Sequence, residues 1–122
     1  MSERKKVLIV EDAIIIAEDL SATTEELGFE VCAIVDNAPD AYAAIDEHSP
    51  DVVLLDINLG AGEDGLDIAA RLNESYGLPF IFITAFSSKQ IQEKIMALRP
   101  SGYLVKLFEN EELAAALQKA VS

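Results

Sequence analysis

The chain holds a single cysteine in 122 residues, so it cannot form an internal disulfide, and nothing in it resembles a Cys/His zinc framework. Basic residues are scarce: 9 Lys and Arg stand against 22 Asp and Glu, a formal charge of −13. Gripping nucleic acid or anionic lipid needs basic clusters that neutralise phosphates, so this segment is expected to bind neither. Long apolar runs near the start are missing as well. Met1-Ser2-Glu3-Arg4-Lys5-Lys6 is followed by only four apolar residues before Glu11, too few for a signal peptide or a membrane span. There is no linker, low-complexity tract or internal repeat. Hydrophobic types, by contrast, make up 51% of the residues, more than a disordered segment carries and enough to bury a core. The expectation is one domain over residues 1–122, soluble, reduced and cytoplasmic.

Short apolar runs alternate with amphipathic segments five times. The runs Val7-Leu8-Ile9-Val10, Val52-Val53-Leu54-Leu55 and Phe80-Ile81-Phe82-Ile83 read as strands buried on both faces. Glu30 to Val35 and Tyr103-Leu104-Val105 complete five strands. Helices are expected from Ala13 to Leu27 with Gly28 as the stop, and through Ala41, Ala44 and Ile45 up to Ser49-Pro50. A third is expected around Ile68 and Leu72, ended by Gly77 and Pro79; a fourth over Ser88 to Leu98; and a last one carrying Leu113, Leu117 and Val121. Strict alternation with all-apolar strands implies an α/β fold, a parallel sheet covered on both faces with right-handed crossovers.

Open parallel sheets bind ligands at the carboxyl ends of their strands, so the residues standing there decide the chemistry. Glu11 and Asp12 follow strand 1, Asp56 follows strand 3, Thr84 strand 4 and Lys106 strand 5, with Tyr103 three residues before it. Three neighbouring carboxylates repel one another, and a hard divalent ion such as Mg²⁺ relieves that repulsion. An Asp carboxylate is also a competent nucleophile toward phosphorus, giving an acyl phosphate. The rest of phosphoryl transfer is positioning and charge neutralisation, which Mg²⁺ and Lys106 can supply. Each residue alone has an ordinary role: Glu11 and Asp12 as caps of the next helix, Asp56 in a turn, Thr84 as a strand residue, Lys106 as a solvated charge. The signal is their coincidence at four of five strand ends.

Val7-Leu8-Ile9-Val10-Glu11-Asp12, Val53-Leu54-Leu55-Asp56-Ile57-Asn58-Leu59, Phe82-Ile83-Thr84-Ala85 and Gly102-Tyr103-Leu104-Val105-Lys106 together resemble the receiver domain of bacterial two-component response regulators, from Val7 to about Val121. The resemblance implies a flavodoxin-like doubly wound (βα)5 sheet in the order 2-1-3-4-5. It makes Asp56 the acceptor of a phosphoryl group from a sensor histidine kinase or a histidine phosphotransfer protein. Mg²⁺ or Mn²⁺ would be held by Asp12 directly, by Glu11 mostly through water, by Asp56, and by the backbone carbonyl of Asn58. Thr84 and Tyr103 would be the switch pair, Lys106 would pair with phosphoryl oxygens, and the face of helix 4, strand 5 and helix 5 would signal to an effector domain or protein or form a homodimer. Such a chain is not an enzyme beyond slow self-phosphorylation and self-dephosphorylation.

Two departures stand out. Receivers usually carry Pro after the lysine, joined by a cis peptide, and here Leu107 takes its place. A cis bond before a non-proline residue costs about 3–4 kcal/mol, so a trans bond or a strained loop is expected. Gly60-Ala61-Gly62-Glu63-Asp64-Gly65 is also one residue longer than the commonest receiver loop and lacks its usual proline. Ile14, Ile15 and Ile16 sweep about 200° of a helix, so one of them is expected to lean toward solvent beside the acidic rim, as an anchor for the kinase or as a plain surface residue. His48 reads as surface, Cys32 as a buried unreactive thiol, and Glu109, Glu111 and Glu112 as acids at a helix start.

Other functions fit less well. A haloacid-dehalogenase type of enzyme wants a second Asp two residues after the nucleophile, where Asn58 stands. A flavodoxin-like cofactor binder needs a Ser, Thr and Gly-rich loop after strand 1, and Glu11-Asp12 repels phosphate there. A degenerate receiver acting as a phosphorylation-independent docking module has Leu107 in its favour and the retained rim residues against it.

Overall fold

The computed structural model describes residues 4–57, 59, 64–85 and 88–122. Asn58 and most of the expected long loop, residues 60–63, lie outside them. Ten elements alternate: β1 (Lys6–Val10), α1 (Ile14–Glu26), β2 (Glu30–Val35), α2 (Ala38–His48), β3 (Val52–Asp56), α3 (Gly65–Arg71), β4 (Phe80–Thr84), α4 (Lys89–Ala97), β5 (Gly102–Val105) and α5 (Asn110–Val121). The strands pair in parallel in the order β2-β1-β3-β4-β5. The parallel sheet expected from the apolar runs is therefore present, in the 2-1-3-4-5 order that the receiver resemblance implies. No described helix is long and apolar enough to cross a membrane.

Successive strand residues point to opposite faces, so a strand covered on both sides must be apolar at every position. Leu8, Val10, Val53, Leu55, Phe80 and Phe82 join α2, α3 and α4 in one core layer. Val7, Ile9, Val52, Leu54, Ile81 and Ile83 join α1 and α5 in the other. Phe80 and Phe82 meet edge to face at 5.4 Å between ring centres. Between Val7 and Leu8 the register with β2 slips, leaving Cys32 in a bulge. The Cys32 thiol donates to the Val7 carbonyl at 3.5 Å, and burial pushes its pKa up.

Helix ends follow side-chain chemistry. The Asn37 side chain accepts the Asp40 N–H at 2.9 Å, and Ser88 accepts the Ile91 N–H at 3.2 Å. Glu109 N–H donates to the Glu112 carboxylate at 3.1 Å, so the acids expected at the start of α5 do cap it. Helix α3 runs into a π-type turn over Leu72–Tyr76, closed by Gly77 N–H on the Leu72 carbonyl at 2.7 Å. Gly77 has φ +63°, the left-handed conformation that ends helices at glycine. Asn73 in this turn donates to the Leu98 carbonyl at the end of α4, at 2.7 Å.

The first helix departs from expectation. Ile14, Ile15 and Ile16 are 72%, 83% and 37% exposed, so two of them stand well out in solvent rather than one. The reason is orientation: α1 turns Ala17, Leu20 and Thr24 to the sheet, and the turn before Ala17 lies beyond the sheet's edge of cover. His48 is partly exposed, with Nε2 3.7 Å from the Glu47 carboxylate, at the end of α2 that leads to the amino edge of the sheet.

Gly65, expected in the loop, is the first residue of α3 and presses on the strand before it. A β-carbon there would lie 2.1 Å from the Asp56 carbonyl oxygen, and Gly65 N–H donates to the Ile57 carbonyl at 2.8 Å. Gly65→Ala is expected to push α3 off the end of β3 and to lower stability by about 1–3 kcal/mol in urea unfolding, the range for overpacked sites. An unchanged midpoint would mean that the approach is loose.

Candidate functional site

The carboxyl edge of the sheet gathers the polar residues. Glu11 directly follows β1, and its N–H on the Val35 carbonyl at 2.9 Å carries the β1–β2 pairing one step further. Its side chain is buried, accepting Lys106 Nζ at 2.9 Å on one oxygen and the Ala13 N–H at 3.2 Å on the other. Asp12 is exposed beside it. Asp56 is the last residue of β3, paired with Ile83, and is buried. Carboxylate oxygens of Glu11, Asp12 and Asp56 all lie within 4.8 Å of one another.

Lys106 holds this edge together from the far side of the sheet. Its Nζ is 2.9 Å from Glu11 and 3.9 Å from Asp56, and its backbone N–H donates to the Thr84 carbonyl at 2.8 Å. Among the described residues it is the cation that pairs with the triad, and one ammonium cannot neutralise three carboxylates. Burial pushes the Glu11 carboxyl up, but hydrogen bonding to Asp56 and to Lys106 outweighs it, and the group sits below the usual carboxylate range. Loss of water on its protein side, then hydrogen bonding to Glu11 and the Glu11 charge, hold the Asp12 carboxyl above its usual range.

Thr84 ends β4 and is buried. Tyr103 pairs with Phe82 across β4 and β5 and packs with the α2–α3–α4 layer. Alternation along β4 places Thr84 on the same face as Phe82, so Thr84 and Tyr103 share one side of the sheet. Glu11, Asp56 and Lys106 alternate onto the other side with Ile9, Leu54 and Leu104. Each sequence-derived residue at a strand end thus comes to one edge, and Asn58 lies outside the described residues.

Three features were not expected from sequence. Lys106 leans on Glu11, at 2.9 Å, rather than on Asp56, at 3.9 Å, a preference that no sequence pattern shows. Gly65 backs the Asp56 peptide, and its only signal is its place as the last of three glycines in one loop. The Lys106–Leu107 peptide is cis, so of the two expected outcomes, a trans bond or a strained loop, the trans bond is not the one found. The trans expectation weighs one peptide in isolation, whereas Lys106 here is fixed by Thr84 through its backbone and by Glu11 through its side chain. Leu107 itself is fully exposed.

The donor set suits a hard divalent cation: all three side chains offer carboxylate oxygens, one of them open to water, with negative charge left uncompensated by Lys106. Softer metals that favour sulfur or imidazole find neither in the cluster.

Residues 7–118 match the family described as response regulator receiver domain. The transcriptional regulatory protein PdtaR of Mycobacterium tuberculosis is 31% identical over 118 residues, covering 97% of this chain and 57% of that protein. The chain therefore spans little more than half the length of that curated relative. Among solved structures, the signal receiver domain of a modulated diguanylate cyclase from Desulfovibrio desulfuricans is 34% identical with a TM-score of 0.89, over 98% of this chain and 94% of that one. The chemotaxis protein CheY4 of Vibrio cholerae is 28% identical with a TM-score of 0.84, over 97% and 99%.

Filling the cluster with Mg²⁺ is expected to stabilise the fold. At free Mg²⁺ about tenfold above its Kd, the gain is about 1.4 kcal/mol, read as a shift of the urea midpoint. Asp12→Asn should remove most of that shift while leaving the apo protein folded, since Asp12 is exposed. An equal Mg²⁺ response in the variant would place the ion elsewhere.

Proposed function

The chain belongs to the response regulator receiver domain family, and on that premise we propose that it is a phosphorylation switch in which Asp56 accepts a phosphoryl group from a histidine kinase or histidine phosphotransfer protein. The observation that carries this reading is the closure of Glu11, Asp12 and Asp56 to within 4.8 Å, with Lys106 placed between Glu11 and Asp56. A carboxylate oxygen of Asp56 forms the bond to phosphorus as the donor's P–N bond breaks, and the imidazole leaves with the electron pair and takes a proton from water. Glu11, Asp12 and Asp56, with the Asn58 carbonyl that the family resemblance adds, would hold Mg²⁺, which when bound would supply charge neutralisation for the phosphoryl oxygens.

The surrounding residues take complementary parts. Lys106, already 3.9 Å from Asp56, exchanges part of its contact with Glu11 for a phosphoryl oxygen. The Thr84 hydroxyl moves toward the phosphoryl, and Tyr103, on the same sheet face, turns in behind it. That rearrangement alters the surface of α4, β5 and α5, which an effector domain, a separate effector or a second copy reads. Residues 1–122 act as one receiver unit in this reading, and a cytoplasmic location goes with it. Asn58 cannot shuttle a proton as an acid–base residue does, so self-dephosphorylation is slow and the chain does not turn over like an enzyme.

Incubation with a small acyl phosphate and Mg²⁺, followed by intact-mass measurement, tests the assignment. A single phosphoryl adduct is expected, absent in EDTA and absent in Asp56→Asn. Lys106→Ala should slow adduct formation by about 10²-fold, the typical cost of one charge-stabilising donor. No adduct under any condition would leave a docking module that works without phosphorylation; an adduct that persists in Asp56→Asn would move the acceptor to another residue.

A further inference from the structure

The charges along this chain are not spread evenly. Between Lys6 and Arg71 there is no Lys or Arg, while sixteen Asp and Glu fall in that stretch; from Arg71 onward six basic residues meet five acidic ones. The fold turns this split in sequence into a split in space, because the earlier stretch builds β1, α1, β2, α2 and β3. The acidic half also carries exposed large apolar side chains. Ile14 is 72% exposed at the start of α1, and Ile34 is 43% exposed near the end of β2. The two face a common cleft of about 410 Å³, floored by Ile14, Ala17, Ile34 and Val35.

Exposed carboxylates stand on both banks of that apolar floor. Asp12 and Glu18 line the α1 bank, and Asp36 and Asp40 line the bank leading into α2. The latter two are held in place by the Asn37 side-chain amide, which donates to Asp36 at 2.7 Å and to Asp40 at 2.9 Å. An occupant that suits the cleft has an apolar ridge with cations on either flank. A helix with an apolar stripe bordered by Lys and Arg has that form, since long basic side chains lay their stems on apolar surface and keep their charges outward.

We propose that the cleft between α1 and the β2–α2 turn docks a basic amphipathic helix of a protein partner, with Ile14 and Ile34 as apolar anchors and Asp12, Glu18, Asp36 and Asp40 as its electrostatic frame. Apolar contact gives the residence time, and the one-signed rim gives the attraction and excludes acidic partners. The cleft borders the carboxylate cluster and shares Glu11 and Asp12 with it, while its apolar floor of Ile14, Ala17, Ile34 and Val35 has no part in the phosphorylation switch.

The test uses a synthetic helical peptide with a leucine stripe flanked by lysines, and its counterpart with glutamates for lysines, titrated into the ¹⁵N-labelled protein. The lysine peptide is expected to shift the amides of Ile14, Ala17, Ile34 and Val35, and the glutamate peptide to shift none. Ile14→Ser with Ile34→Ser should weaken binding about tenfold, whereas Asp46→Asn with Glu47→Gln, two acids outside the cleft, should change it less than twofold. Both isoleucines are exposed, so the variant folds, and phosphorylation of Asp56 by the acyl phosphate should be unchanged in it. Shifts spread over the whole acidic surface, or equal weakening by the Asp46 and Glu47 substitutions, would reduce the effect to charge attraction and overturn the proposal. Shifts confined to Ile15, Leu107 and Phe108 would place docking in the neighbouring groove between α1 and α5 and overturn it too, as would no binding at all. Failure of the adduct experiment with a normal titration would count against the phosphorylation switch alone.

Discussion

Crowded negative charge at the carboxyl edge of the sheet is the constraint around which the polar part of the molecule is arranged. Glu11, Asp12 and Asp56 are delivered there by two adjacent strands, β1 and β3, whose pairing leaves the carboxylates no room to separate. Lys106 reaches them from β5, two strands beyond β3, and its ammonium relieves part of the repulsion. The apolar strands beneath hold the arrangement rigid, because each is covered on both faces and cannot slide without exposing one of them. What remains uncompensated is negative charge, in a donor set that suits a hard cation.

This constraint gives the acidic composition a meaning beyond surface charge. On the proposed reading, a dianionic phosphoryl group approaching three bare carboxylates would be repelled, and a divalent ion held by them would reverse the local sign. Charge compensation from Lys106 is partial, and on the proposed reading that leaves the lysine free to take a new partner. A lysine fully engaged by two close carboxylates would have less reason to move.

Much of this was legible in the sequence because strand burial writes itself directly into residue type. Val52-Val53-Leu54-Leu55 can be nothing but a doubly covered strand in so short a chain, and a polar residue directly after it must stand at the edge. The boundaries of β3 and β4 ran one residue longer than the apolar runs, since Asp56 and Thr84 still pair with a neighbour while their side chains face the rim. The orientation of α1 was less legible. Three consecutive isoleucines say that not all are buried, but how many depends on where the helix axis lies over the sheet, and distant packing fixes that. The partner chosen by Lys106 was hidden for a similar reason: Glu11 and Asp56 look alike in sequence, and only their distances from the ammonium distinguish them. The cis peptide before Leu107 ran against local preference, as contacts on the lysine's backbone and side chain overrode what a single peptide favours.

The bulge at Cys32 bears on the open border of the sheet. β2 is one of two open borders of the sheet, with a row of backbone donors and acceptors facing outward, and such a border is a template on which another chain can add a strand. One extra residue breaks the even spacing of that row, twists it, and leaves an incoming strand unable to match more than a few positions on either side. A slip of register that looks like an imperfection in the pairing with β1 thus makes that border a poorer template for an added strand.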